Sequence, residues 1–177
     1  MSLEIALVSV FAPDKIGLVA AIADYLFGAG INLRDTLFAA LGQGAEFTAV
    51  CELPPGVTVG EIERGLNTLP ELADAKVRVV PYNFDPESPT LGRVTHRITI
   101  SGGDQLGLVA RLSEVFAQYQ ANIVRLEARK LGTDEGGLYV TRFAVCIPPD
   151  LVERCLATVG NTAGTLGLTS AVEQSEL

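Results

Sequence analysis

The sequence has no tryptophan, one histidine, one methionine and three cysteines among 177 residues. These shortages exclude several classes of protein. With a single histidine, His96, and no C-x-x-C pair, no cluster has metal-ligand spacing. No Ser-His-Asp set can be assembled around His96 either, because it falls on a strand face that the alternation marks as covered. Cys51, Cys146 and Cys155 are odd in number, scattered and set in apolar surroundings. That is the usage of a reduced chain without a disulfide framework. There is no run of Lys or Arg, and the formal net charge is −8, which opposes direct contact with a nucleic-acid backbone. The N-terminus has no basic region ahead of an apolar one, so no secretory signal is read. The most apolar stretch, Gly17 to Ile31, is too short for a membrane span and contains Asp24. The phrase DKIGLV lacks the Lys-Ser/Thr ending of a phosphate loop. The chain is therefore expected to be cytoplasmic and not an enzyme, with no cofactor, no metal, no membrane and no nucleic acid.

What is present is a core and a repeat. Apolar residues make up 48% of the chain, and with aromatics at 6% the core falls to Val, Leu, Ile and Ala. DKIGLVA at Asp14–Ala20 returns as DQLGLVA at Asp104–Ala110, an offset of 90. Over the twenty positions from Asp14 there are six identities: Asp14/Asp104, Gly17/Gly107, Leu18/Leu108, Val19/Val109, Ala20/Ala110 and Asn32/Asn122. Leu41-Gly42 meets Leu131-Gly132 in the same register, whereas Pro54-Pro55 meets Pro148-Pro149 at an offset of 94. The four extra residues fall between, in the turn GTDEGGLY that replaces GQGA. Insertions belong in turns, so the shift supports a duplication.

Each copy reads as β-α-β-β-α-β. In the second, Val94, His96, Ile98 and Ile100 alternate with polar neighbours as a strand. Asp104 then stands as a helix N-cap, and Leu108, Leu112, Val115 or Phe116, and Tyr119 follow at helical spacing. Ala121–Leu131 is extended, Tyr139–Ile147 alternates, Asp150 caps a helix through about Val159, and Thr165–Glu173 is the last strand. In the first copy Thr58-Val59-Gly60-Glu61 is a capping box, with Ile62, Leu66 and Leu69 apolar, and Ala75–Tyr82 closes the unit. NFDPESPTLG, residues 83–92, reads as a linker. The expected organisation is α+β: a ferredoxin-like domain over 1–82 and a second over 93–177, each an antiparallel sheet with two helices on one face.

Gly17 and Gly107 fall in the first turn of their helices by this reading, where a missing side chain leaves room for a ligand or a neighbouring backbone. Free N–H groups and the positive end of the helix dipole suit a carboxylate there. Asn32 and Asn122 open the next strand and offer both donor and acceptor. An α-amino acid needs that mixture. Plainer roles stand beside this one: N-caps for Asp14 and Asp104, helix-on-sheet packing for the glycines, and turn capping for the asparagines.

A strand, then D-x-x-G-L-V opening a helix, then I-N-L or A-N-I opening a strand, resembles the ACT domain, a small amino-acid-binding regulatory module. The resemblance covers both copies. Two such modules with no other domain resemble the glycine cleavage system transcriptional repressor family. The resemblance implies ligand contacts from Asp14, Gly17, Leu18 and Asn32, and from Asp104, Gly107, Leu108 and Asn122. It also implies a small amino acid, glycine or similar, as ligand. The partner it implies is a transcription activator contacted through protein, or alternatively a metabolic enzyme for which the chain is a regulatory subunit or scaffold. The long second strands, Ile31–Leu41 and Ala121–Leu131, carry apolar edges. They are expected to pair side by side into one sheet of about eight strands, with the ligand sites at that seam, and a homodimer is a further possibility. The open-face row Leu3, Ile5 and Leu7 is expected to be covered by a subunit, a partner or a chain terminus.

Overall fold

Ala6, Val8, Val10 and Ala12 are all buried and alternate with more exposed neighbours. They form the covered stripe of the first strand, β1 (Glu4–Pro13). In the computed structural model, which describes residues 4–84, 93–132 and 137–175, the chain divides into two compact units, Met1–Pro86 and Glu87–Leu177. The first contains β1, α1 (Leu18–Gly28), β2 (Asn32–Leu41), β3 (Gly44–Leu53), α2 (Val59–Leu66) and β4 (Lys76–Pro81). The second contains β5 (His96–Gly102), α3 (Leu108–Gln118), β6 (Asn122–Leu131), β7 (Leu138–Cys146), α4 (Val152–Thr165) and β8 (Thr169–Gln174). Each unit is the expected ferredoxin-like βαββαβ fold. The antiparallel sheets run β2-β3-β1-β4 and β6-β7-β5-β8.

Each sheet closes at four strands among the described residues. Within their own sheets β2 and β6 are the edge strands. Of the row Leu3, Ile5 and Leu7, Leu3 lies outside the described residues, while Ile5 and Leu7 are half-buried. Most of the expected linker, 85–92, and most of the longer turn, 133–136, also lie outside them.

Strand register confirms the duplication residue by residue. Leu7 lies opposite Val50 and Arg97 opposite Ala144, offsets of 90 and 94. The hairpin pairs Leu41↔Gly44 and Leu131↔Leu138 put the four-residue difference between β6 and β7. Both edge strands carry a β-bulge just after their asparagine, between Leu33 and Thr36 and between Ile123 and Arg125.

One core lies under each helix pair. Leu18, Ile22 and Leu26 of α1 meet the β1 and β3 stripes. Leu108, Leu112, Val115 and Phe116 of α3 do the same in the second unit, where the rings of Phe116 and Phe143 stand 5.2 Å apart. His96 is buried on the covered face, and burial pushes its imidazole below the ordinary value because the charged form loses hydration. Its Nδ1 lies 2.9 Å from Thr95 Oγ1. Cys51 and Cys155 are buried free thiols, and burial pushes the Cys51 thiol up to about 11, out of the reactive range.

Two helix starts divide the expectations. The Thr58 box is present: Glu61 N–H donates to Thr58 Oγ1 at 3.3 Å, and Thr58 N–H donates to Glu61 Oε2 at 2.8 Å. Asp150, however, is not a cap. It lies in a 3-10 turn over Pro149–Leu151, and α4 begins after Leu151 with no side-chain cap bond. Nor does α4 stop near Val159. Cys155, Val159 and Ala163 are buried at spacings of four, so burial carries the helix through Gly160 and Gly164 to Thr165. The last strand accordingly begins at Thr169.

A tyrosine links the two helices of each unit by a different route. Tyr119 Oη lies 2.8 Å from Thr158 Oγ1 on α4. Tyr25 instead lies over Gly65 on α2, where an added Cβ would fall on its ring and hydroxyl. Replacing Gly65 with Ala gains about 1 kcal/mol of helix propensity but must displace Tyr25, an overpacking cost of about 1–3 kcal/mol. Gly65→Ala is expected to destabilise the wild-type background and to stabilise the Tyr25→Ala background. Denaturant unfolding of the four variants measures that coupling; a coupling near zero would rule out the contact.

Candidate ligand site

The loops from β1 to α1 and from β5 to α3 repeat in conformation as well as in sequence. Each helix starts from a glycine in the left-handed region: Gly17 has φ 90° and Gly107 has φ 80°. Neither helix start has a side-chain cap bond or an acidic residue in its first turn. This corrects the reading of Asp14 and Asp104 as N-caps. The chain turns into the helix three residues later, and both aspartates stand exposed in the loop ahead of it. In the first unit the Asp14 N–H donates to Gln43 O at 2.8 Å, tying the loop to the β2–β3 hairpin.

The glycines are needed for backbone reasons. A Cβ at either position would meet nothing within 4 Å, so neither is kept for close packing of helix on sheet. A positive φ is the requirement. The residue ahead of each glycine is apolar and fully exposed: Ile16 in one copy, Leu106 in the other. Two bare helix N-termini, each beside an exposed apolar side chain and an exposed aspartate, make the repeated constellation.

The other expected residues are placed differently. Leu18 and Leu108 turn their side chains into the cores, and their N–H groups donate at 3.3 Å to Lys15 O and Gln105 O. They shape the loop but present no side chain to a ligand. Asn32 and Asn122 begin β2 and β6, at the opposite end of each sheet from the glycine loop. Asn32 lies opposite Glu52, which lies opposite Ile5, whereas the loop leaves β1 after Pro13. Eight residues along a strand separate them by about 26 Å. Each unit therefore keeps its glycine loop and its asparagine apart. A site using both must take its strand start from outside the unit.

Sequence reasoning missed Glu52, which organises the start of β2. It accepts from Asn32 Nδ2 at 2.9 Å and from Arg34 Nε at 2.6 Å. These bonds, Asn32 first and then Arg34, hold its carboxyl below the ordinary glutamate range. In the second copy Cys146 faces Asn122 and Val124 takes the place of Arg34, so the arrangement is not repeated. Residues twenty positions apart on different strands carry no local signal of such a pairing.

No family model matches the sequence, and no curated protein matches it. Solved structures define the class: a duplicated ferredoxin-like fold running the length of the chain. A protein of unknown function from Galdieria sulphuraria is 21% identical, with a TM-score of 0.78 over 99% of this chain and 100% of its own. A candidate glycine cleavage system transcriptional repressor is 13% identical, with a TM-score of 0.72 over 100% of both chains. At these identities the likeness establishes the fold.

Gly17→Ala and Gly107→Ala are each expected to cost about 1–2 kcal/mol through left-handed strain alone, with spectroscopically unchanged folds. Urea unfolding tests this, and a cost near zero would mean that the loops relax freely. The Glu52 interactions contribute stability above the unfolded carboxylate value of about 4.3. That contribution is lost as pH falls through the lower folded value. Glu52→Gln is therefore expected to flatten the acid limb of the stability–pH curve, measured by thermal unfolding between neutral and acidic buffers.

Proposed function

We propose that this chain is an amino-acid-sensing regulatory protein built from two ACT-type modules, over 1–82 and 93–177. It binds a small amino acid, glycine or similar, and adjusts its contacts with a transcription activator. The observation that carries this reading is the repeated bare helix N-terminus opened by Gly17 and by Gly107. Uncapped N–H groups and the helix dipole favour a ligand carboxylate. Asp14 or Asp104, freed from capping, supplies an acceptor for the ammonium group. An asparagine from a strand start outside the unit completes the set. Because Glu52 faces Asn32 whereas Cys146 faces Asn122, the two strand starts differ in chemistry, and the two sites differ in affinity. The fold shared with a candidate glycine cleavage system transcriptional repressor supports the choice of partner. The net charge of −8 favours protein contact over direct binding to nucleic acid. The cytoplasm is the compartment this reading requires.

A second reading has its own support. Ile16 and Leu106 are fully exposed at matching positions, as a docking surface for a metabolic enzyme or a second copy requires. The exposed apolar residues Leu37, Phe38 and Leu41 of the β2 edge favour a homodimer in the same way. Calorimetric titration of the full chain with each of the twenty amino acids separates the readings. The sensor reading expects binding at millimolar concentration or tighter, weakened by Gly17→Val or Gly107→Val in variants that remain folded. Absence of any binding would leave the scaffold reading, and affinity purification of native partners would then identify what it holds.

A further inference from the structure

The open face of the second sheet carries a cation cluster that the proposed amino-acid site does not use. Register places the residues in two rows across the strands. The first row runs Arg125, Ala144, Arg97, Glu173; the second runs Glu127, Arg142, Thr99, Ala171. Ala144 is the small floor of the first row, and two strand spacings put the Cα atoms of Arg125 and Arg97 about 10 Å apart across it. Arg142 stands beside Ala144 one step along. Around this floor is an open cavity of about 210 Å³, lined by Arg97, Arg125, Arg142, Glu127 and Glu173 among others.

Three features make this a binding surface rather than a solvated charge pattern. First, three guanidinium groups stand against two carboxylates: Glu173 faces Arg97 and Glu127 faces Arg142 in register, while Arg125 faces Ala144 and meets the same Glu127 at 3.9 Å. Second, the fold does not require the arginines. At matching positions the first unit has Leu7 for Arg97, Val50 for Ala144, Thr48 for Arg142 and Val80 opposite Leu7. Third, the cluster runs against the charge of the molecule, its three arginines outnumbering its two glutamates in a chain of net charge −8.

We propose that this face of the second unit binds a small dianion, a compound with two carboxylate or phosphate groups. Arginine forks match both groups bidentately, and three forks around one floor exceed what a single carboxylate can engage. Glu127 and Glu173 on the rim, with the overall negative charge, repel an extended polyanion and restrict the site to small ligands. The cavity volume suits a compound of that size.

The test is calorimetric titration of the full chain in low-salt, phosphate-free buffer with two probes, succinate and pyrophosphate. At least one is expected to bind with a Kd below about 1 mM and to weaken several-fold as salt is raised. Which probe binds distinguishes a dicarboxylate from a phosphorylated ligand. Arg97→Gln and Arg142→Gln are each expected to lower the affinity by about tenfold or more, whereas Arg64→Gln on α2 leaves it unchanged. If a Gln variant fails to fold, Arg→Lys at the same position, which keeps the charge and loses the fork, is expected to give the same loss. Failure of both probes to bind overturns the proposal, as does binding that survives both arginine substitutions. An amino-acid titration on the same variants is independent, so failure here leaves the first-loop site untouched.

Discussion

A four-stranded sheet with both helices on one side has one covered face, and most of this structure follows from that asymmetry. The covered face admits little variation. It must be apolar at every second residue, and in both units it is: Ala6, Val8 and Val10 in the first, Ile98 and Ile100 in the second, with Phe47 and Phe143 on the neighbouring strands. His96 is tolerated there in place of Ala6 because Thr95 supplies a hydroxyl at 2.9 Å to one ring nitrogen. The open face has no such rule. Each unit has resolved it differently, as half-buried aliphatics around Val50 in the first and as arginines around Ala144 in the second.

Duplication makes that contrast informative. Two copies on one scaffold act as a control for each other: what both retain is what the fold or a shared site needs, and what only one has serves something else. The left-handed glycine is in both copies because the chain cannot otherwise turn from strand into helix at that point. The exposed Ile16 and Leu106 are also in both, yet neither is required by packing, which is why the proposed site is placed at the first loop. Glu52 with its Asn32 and Arg34 partners is in one copy only, and the arginine rows are in the other. The two units are thus alike at the helix start and different on the sheet.

The sequence made the architecture legible because its signals were periodic or repeated. Alternation fixed the strands, the offset of 90 changing to 94 located the longer hairpin, and Thr58 with Glu61 announced α2. Less was legible where a local rule competed with burial. Asp104 has the chemistry of an N-cap, but Gly107 takes that position because only glycine adopts φ 80° cheaply. Gly160 and Gly164 suggest a helix end, but Ala163 between them is buried, and packing overrides the propensity cost. The arginine cluster was hidden for a different reason. Plain alternation from Ile123, which faces the core, would send Arg125 to the core as well. The bulge at Val124 instead sets Arg125 opposite Ala144 and turns it to the open face. A one-residue slip of that kind changes the face of every residue after it, and nothing local in the sequence announces it.

The same bulge bears on the proposed amino-acid site. It follows directly on Asn122, as its counterpart follows on Asn32, so in both units the strand start is set apart from the remainder of the edge. Residues before the bulge can be oriented for a ligand, while residues after it stay in register with the neighbouring strand. In the first unit Arg34 lies within the bulged segment and reaches Glu52, which draws the strand start back onto its own sheet. In the second, Val124 has no such reach, and the next residue, Arg125, joins the open face. One extra backbone residue thus separates two surfaces along a single edge strand. It sets the asparagine and the arginine, three residues apart, on different surfaces, so that the two proposed sites would not compete for the same space.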